Sequence, residues 1–167
     1  FFLKYNKNPT ATRKAWRGNW FHTGDIAVKD HKGYHYFVDR EKNIIRRSGE
    51  NISSTEVEQS LLNIDIILNS AILSKNHKYY QEEVFAFIVL KHGVKKNKST
   101  AKGILEKLIT KLAYFKLPCY IKFINTIPLT SSQKNNRNSL KEKINKYKKN
   151  EYFDLEDLKR KLKKASN

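Results

Sequence analysis

Three stretches of this 167-residue chain gather residue types able to do chemistry. In Trp20-Phe21-His22-Thr23-Gly24-Asp25, a Thr-Gly-Asp turn between two extended segments sets a carboxylate at a strand end, on backbone that glycine keeps narrow. Such a carboxylate can accept two charge-assisted hydrogen bonds from the neighbouring hydroxyls of a ribose. Taken by itself, the tripeptide reads as an ordinary turn with Asp25 as its former. The second stretch runs from Tyr36 to Glu58 and sets Asp39, Arg40, Lys42, Arg46 and Arg47 ahead of Ser48-Gly49-Glu50-Asn51, where Gly49 can take positive φ. The third, Ile127-Pro128-Leu129-Thr130-Ser131-Ser132-Gln133-Lys134, is a loop of proline and hydroxyl residues ending on a lysine. In isolation Lys134 is one more solvated lysine. The histidines (His22, His31, His35, His77, His92) have no partner spacing that would hold a metal, so none is expected. No Gly-x-Ser-x-Gly nucleophile motif occurs. Cys119 is the sole cysteine; it cannot form an internal disulfide and reads as a small buried apolar residue.

The elements that must hold these residues follow from periodicity. Trp20–Thr23 and Ile26–Lys29 are strand-like, Asp30-His31-Lys32-Gly33 is a hairpin turn, and Tyr34–Asp39 is the returning strand. The first 40 residues thus read as short strands and turns. Asn43–Arg47 and Asn51–Ser53 flank the Ser48-Gly49-Glu50 turn. Ser53-Ser54-Thr55-Glu56 is a capping box opening a helix that runs to about Leu62. Ile66–Lys75 and Glu83–Lys91 are strands, and the unbroken apolar run in the second predicts burial on both faces. Ser99–Tyr114 has helical periodicity with Ser99 as N-cap. Tyr120–Asn125 is a further strand, and Ser139–Lys149 and Leu155–Lys164 are helical. The expected fold is α+β: a small C-terminal domain with a short hairpin and a three-stranded sheet flanked by helices, preceded by a β-rich remnant.

Composition removes several classes. An apolar share of 39% with 12% aromatics supports a packed core and excludes wholesale disorder. No apolar run approaches the roughly 20 residues of a membrane helix, and Phe1-Phe2-Leu3 is too short for a signal peptide. The lone cysteine makes the cytoplasm the expected compartment. The net charge of +18 suggests a nucleic-acid partner until it is located. Residues 1–90 hold 13 Lys/Arg against 10 Asp/Glu, whereas residues 91–167 hold 21 against 6. The excess lies in mixed Lys/Asn runs. Charge of that kind supports solubility and non-specific association, not specific recognition.

Together the ordered stretches resemble the adenylate-forming enzyme superfamily, which includes AMP-forming acyl-CoA synthetases. The residues that carry the likeness are Trp20–Asp25, Tyr36–Glu58 and Ile127–Lys134, with Asn8-Pro9-Thr10-Ala11-Thr12 resembling the segment before the first block. Within that family the chain looks most similar to crotonobetaine/carnitine–CoA ligases and other short- or medium-chain synthetases. The resemblance implies that residues 1–40 end a large N-terminal domain, that 41–140 form the AMP-binding enzyme C-terminal domain, and that 141–167 are a basic helical tail. It implies that Asp25 and Arg40 hold the ribose of ATP and of the acyl-adenylate, and that Lys42 is the hinge between the domains. Arg46 and Asn51 match polar positions facing the adenylate, and Ser48 and Gly49 match backbone lining the CoA channel. Lys134 matches the catalytic lysine of adenylation, where a mobile ammonium offsets the charge built up as a carboxylate attacks the α-phosphate. ATP, CoA and Mg2+ (the ion arriving with ATP) are the implied cofactors, and a small carboxylic acid is the implied substrate.

Two departures qualify that likeness. The family places Gly immediately before the lysine, where this chain has Gln133; positive φ there would cost about 1 kcal/mol. The phosphate loop and the adenine-stacking segment of the family fall upstream of Phe1, so the chain is expected to be a fragment that is inactive without its large domain. A carrier-protein-loading adenylation domain and a basic RNA-binding module derived from this fold are the alternatives. Neither aromatic base-stacking platforms nor a GXXG loop support the latter.

Overall fold

The computed structural model describes residues 2–165 and divides into two compact units, Phe1–Lys42 and Asn43–Asn167. In the first unit, α1 (Pro9–Ala15) was not expected from a sequence read as strands and turns. Its causes are local: Pro9 stands where its missing N–H costs nothing, and the Asn8 side chain caps the Ala11 N–H at 2.9 Å. β1 (Trp16–Arg17) and β2 (Trp20–Phe21) pair across Gly18 and Asn19, both at positive φ. β3 (Asp25–Lys29) and β4 (His35–Arg40) form an antiparallel pair, closed by the expected turn. There the Asp30 carboxylate accepts the N–H of Lys32 and of Tyr34, each at 2.9 Å, and the Tyr36 hydroxyl at 3.0 Å.

The second unit is an α+β layer around one mixed sheet. A single 3-10 turn (Glu41–Asn43) leads into β5 (Ile44–Arg47) and β6 (Glu50–Ser53), then α2 (Ser54–Leu62). The Ser53 Oγ accepts the Glu56 N–H at 3.2 Å, as the capping box requires. β7 (Ile67–His77), β8 (Gln81–Leu90), α3 (Lys98–Leu108), β9 (Tyr120–Phe123), α4 (Arg137–Ile144), β10 (Phe153–Asp154) and α5 (Glu156–Ala165) follow. β8 lies at the centre, antiparallel to β7 and parallel to β9, which is reached by the α3 crossover. Alternation along β8 builds two cores. Val84, Ala86 and Ile88 face Leu61, Ile104 and Leu108, while Phe85 and Phe87 face Leu140, Ile144 and Tyr152. Burial of β8 on both faces is as expected. Each fully buried phenylalanine contributes roughly 2–3 kcal/mol of transfer free energy.

Three expectations change. The sheet has six strands, because Arg47 pairs with Gln81 and joins the β5–β6 hairpin to β8, and because β10 pairs with β9. α3 starts at Lys98 with Asn97 as its cap, whose Oδ1 takes the Thr100 N–H at 2.9 Å, and it stops at Leu108. Pro118 disfavours helix just before it, and a 3-10 turn at Tyr114–Lys116 intervenes. The basic segment from residue 141 is built into this unit: Ile144, Tyr152 and Leu155 are buried, and the Phe153 ring lies tilted against that of Phe123 with centroids 5.6 Å apart.

Candidate functional site

In the first unit Asp25 and Arg40 are register partners across β3 and β4, and Arg40 Nε lies 3.1 Å from Asp25 Oδ1. The turn before Asp25 is set by Gly24 at φ +73, where a Cβ would meet nothing within 4 Å. Glycine is favoured there by backbone angle and not by narrowness, which corrects the sequence reading. Thr23 Oγ1 accepts the Asp25 N–H at 3.0 Å, and the Gly24 carbonyl accepts the Glu41 N–H at 2.8 Å. Both side chains are substantially exposed, so their ion pair is worth under about 1 kcal/mol and can open toward a ligand's hydroxyls. Asp39 beside them is 1% exposed, and its carboxylate accepts the Arg40 N–H at 2.8 Å. It steadies the strand end, a role that residue type alone did not reveal. Lys42 is exposed and is the last residue of the first unit.

In the second unit the β5–β6 turn places Ser48 at φ 47 and Gly49 at φ 87. Two successive positive values are those of a type I′ turn, whose twist suits a two-residue hairpin. Arg46 and Asn51 face one another in the register and are exposed. Glu82 Oε2 accepts the Arg46 N–H at 2.8 Å. Among the described residues neither the Arg46 guanidinium nor the Asn51 amide has a side-chain partner. Arg47 is nearly buried: its Nε lies 2.5 Å from Glu83 Oε1, and its guanidinium lies 4.2 Å from the centre of the Tyr80 ring. Glu83, 1% exposed, also takes Lys159 Nζ at 2.8 Å. Burial pulls the Lys159 ammonium below the usual lysine range, against the pull of the Glu83 carboxylate. This triad anchors α5 and the hairpin to β8 and borders a cavity of about 350 Å³, lined in part by Tyr80, Tyr114 and Arg160.

Lys134 stands on a tight loop between Pro128 and Asn136. The Thr130 carbonyl accepts the Gln133 N–H at 2.9 Å, and the Thr130 N–H donates to the Lys134 carbonyl at 2.7 Å. Thr130 Oγ1 takes the Lys134 N–H at 3.2 Å and lies 3.0 Å from Ser132 Oγ. Gln133 sits at φ 58, so the residue where the family has Gly does need the left-handed conformation. The Lys134 side chain is exposed and, among the described residues, has no hydrogen-bond or ion-pair partner. It shares no such bond with the Ser48–Asn51 turn either. The fold also gathers Cys119, Asp154 and Glu156, whose ligand atoms lie within 4.8 Å of one another. The histidine spacing could not reveal this group. Burial, reinforced by the Glu83 carboxylate, pushes the Cys119 thiol far above its ordinary range, which leaves it protonated. No helix among the described residues is long and apolar enough to cross a membrane.

Residues 56–134 match the model of the AMP-binding enzyme C-terminal domain. The chain is 40% identical over 141 residues to a probable CoA ligase, CCL11, of Humulus lupulus, covering 84% of this chain and 25% of that protein. It is 32% identical over 142 residues to the 2-succinylbenzoate–CoA ligase of Geobacillus kaustophilus, covering 85% of this chain and 28% of that protein. ATP-bound MatB from Rhodopseudomonas palustris has a TM-score of 0.76 to this chain at 27% identity, over 88% of this chain and 29% of that one. The chain therefore spans about a quarter of the length of its curated relatives. They are CoA ligases of other kinds and do not support a crotonobetaine/carnitine-type member.

Proposed function

We infer the function from one premise: the chain carries the AMP-binding C-terminal domain of the adenylate-forming acyl-CoA ligase superfamily. In this reading it is the C-terminal quarter of an acid–CoA ligase that converts a carboxylic acid and ATP to an acyl-adenylate and passes the acyl group to CoA. Lys134 serves the first half-reaction, and the Ser48–Gly49 turn with Arg46 and Asn51 serves the second. Asp25 and Arg40 bind ribose hydroxyls, and rotation at Lys42 exchanges the two loops. The large N-terminal domain is the required partner, holding the triphosphate, its Mg2+ and the adenine. The cytoplasm remains the compartment of this reading, because Cys119 is a lone buried thiol. The acid is a small one; a carnitine-type acid is not favoured.

One observation carries this reading. Among the described residues Arg46, Asn51 and Lys134 have unpartnered, exposed side chains, yet each stands on backbone that turn bonds and positive-φ residues hold fixed. Such side chains can meet a ligand without first breaking internal bonds, and a preorganised ammonium stabilises developing charge at little reorganisation cost. ATP–pyrophosphate exchange over a panel of short and medium acids tests it. The complete enzyme should exchange, the 167-residue chain alone should not, and Lys134→Ala should slow exchange by about 100-fold or more. Turnover by the isolated chain, or an unaffected Lys134→Ala enzyme, would sink the reading. Neither carrier-protein loading nor specific RNA binding gains support from the relatives described.

A further inference from the structure

We infer that Arg137 and Glu58 are a positioning pair for Lys134, acting on adenylation through the foot of its loop; this rests on the function proposed above. Among the described residues nothing beyond its own turn holds Lys134, but the next three residues are fastened. The Asn135 amide donates to the Ser70 carbonyl at 3.3 Å. The Asn136 N–H donates to the Pro128 carbonyl at 2.7 Å, and its side chain caps α4 by taking the Ser139 N–H at 3.1 Å. Arg137 then closes the arrangement. Its Nη2 donates to both Glu58 oxygens at 2.8 and 2.7 Å, and its Nη1 donates to Ser54 Oγ at 2.7 Å and to the Ile72 carbonyl at 3.1 Å.

Glu58 completes a ring. Its Oε1 accepts the Ile72 N–H at 2.7 Å, so one residue of β7 is gripped at its N–H by the carboxylate and at its carbonyl by the guanidinium. Both side chains are mostly buried, at 23% and 14% exposure. The Arg137 fork makes four bonds at once, to both Glu58 oxygens, a hydroxyl and a carbonyl, one more than the three donors of an ammonium supply, so lysine cannot replace it. The pair thus ties the start of α4 to the middle of α2 and of β7, three residues along the chain from Lys134. A shift of about 1 Å at a reacting group costs on the order of 100-fold in rate.

The test uses the complete enzyme and single-turnover assays of each half-reaction. Arg137→Gln should lower the adenylation rate roughly 10- to 100-fold. KM for ATP and acid should stay within about twofold, and thioester formation from supplied acyl-adenylate should be unchanged, because the pair acts through Lys134. Arg137→Lys should lose nearly as much. The deciding measurement is non-additivity: in a Lys134→Ala background, Arg137→Gln should cause no further loss. Multiplying losses, equal slowing of both half-reactions, or no loss would overturn the assignment. Should Arg137→Gln not fold, Glu58→Gln carries the same test, since it keeps an acceptor for the Ile72 N–H. If Lys134→Ala alone leaves adenylation intact, the proposed function fails and takes the pairing with it; if Lys134→Ala slows adenylation and Arg137→Gln does not, the pairing alone fails.

Discussion

Replacing Glu83 by Gln should be among the most damaging single changes in the second unit. The carboxylate is 1% exposed and is bonded to Arg47 Nε at 2.5 Å and to Lys159 Nζ at 2.8 Å. Their side chains are 10% and 4% exposed, so neither cation can turn to water cheaply. The amide can still accept a hydrogen bond but leaves two like charges with no counter-ion. Breaking a buried pair from one side costs about 3–5 kcal/mol. At roughly 3 °C per kcal/mol for a domain of this size, the thermal midpoint should fall by about 10–15 °C. Far-UV circular dichroism melts at neutral pH would read it. Because buried ion pairs are replaceable by apolar groups of similar volume, Glu83→Leu with Lys159→Met should recover much of the loss. Residual Arg47 would still lack its carboxylate, so recovery should be incomplete. A shift below about 3 °C for Glu83→Gln, equivalent to about 1 kcal/mol, would refute the reasoning, as would a double variant no better than the single one.

Four further outcomes follow from the same geometry. Lys42→Pro, by fixing φ at the proposed pivot, should slow thioester formation while sparing adenylation in single-turnover assays; equal slowing of both would remove the hinge. Gln133→Gly relieves a left-handed residue at φ 58 and should raise stability by about 0.5–1 kcal/mol in urea melts without loss of adenylation. Cys119 keeps its proton in the folded chain, whereas the unfolded thiol releases it above the ordinary value of 9.0. The folded state then binds more protons, so stability should fall as pH rises past that value, and Cys119→Ala should flatten this part of the decline. The basic half should bind RNA only non-specifically, so affinity should collapse between low and physiological salt with no sequence preference.

Much of the second unit was legible because local signals agreed with the global fold. The apolar run of β8, the capping box of α2 and the Ser48-Gly49 turn each specify one conformation at short range. What escaped was non-local. Glu83 and Lys159 are 76 positions apart, and Glu58 and Arg137 are 79 apart, so no window of sequence joins them. Single-residue bridging between Arg47 and Gln81 has no compositional trace, which is why the hairpin was not expected to join the sheet. α1 had both of its local signals in Asn8 and Pro9, but its seven residues bury nothing and show no apolar stripe. Gln133 was the opposite case. The likeness flagged the position, and the backbone angle supplied the reason.

The grip of Arg137 and Glu58 on Ile72 has a second meaning for the chain as a colloid. Among the described residues β7 pairs on one side only, with β8, and its eleven residues make it a long sheet edge. Open edges of that length recruit other strands and seed aggregates. Here the outward N–H and carbonyl of Ile72 and the outward carbonyl of Ser70 are already occupied by side chains. A neighbouring molecule therefore finds no continuous ladder along that stretch. Loosening the loop's foot would expose this edge, and soluble yield would decline along with any loss of chemistry.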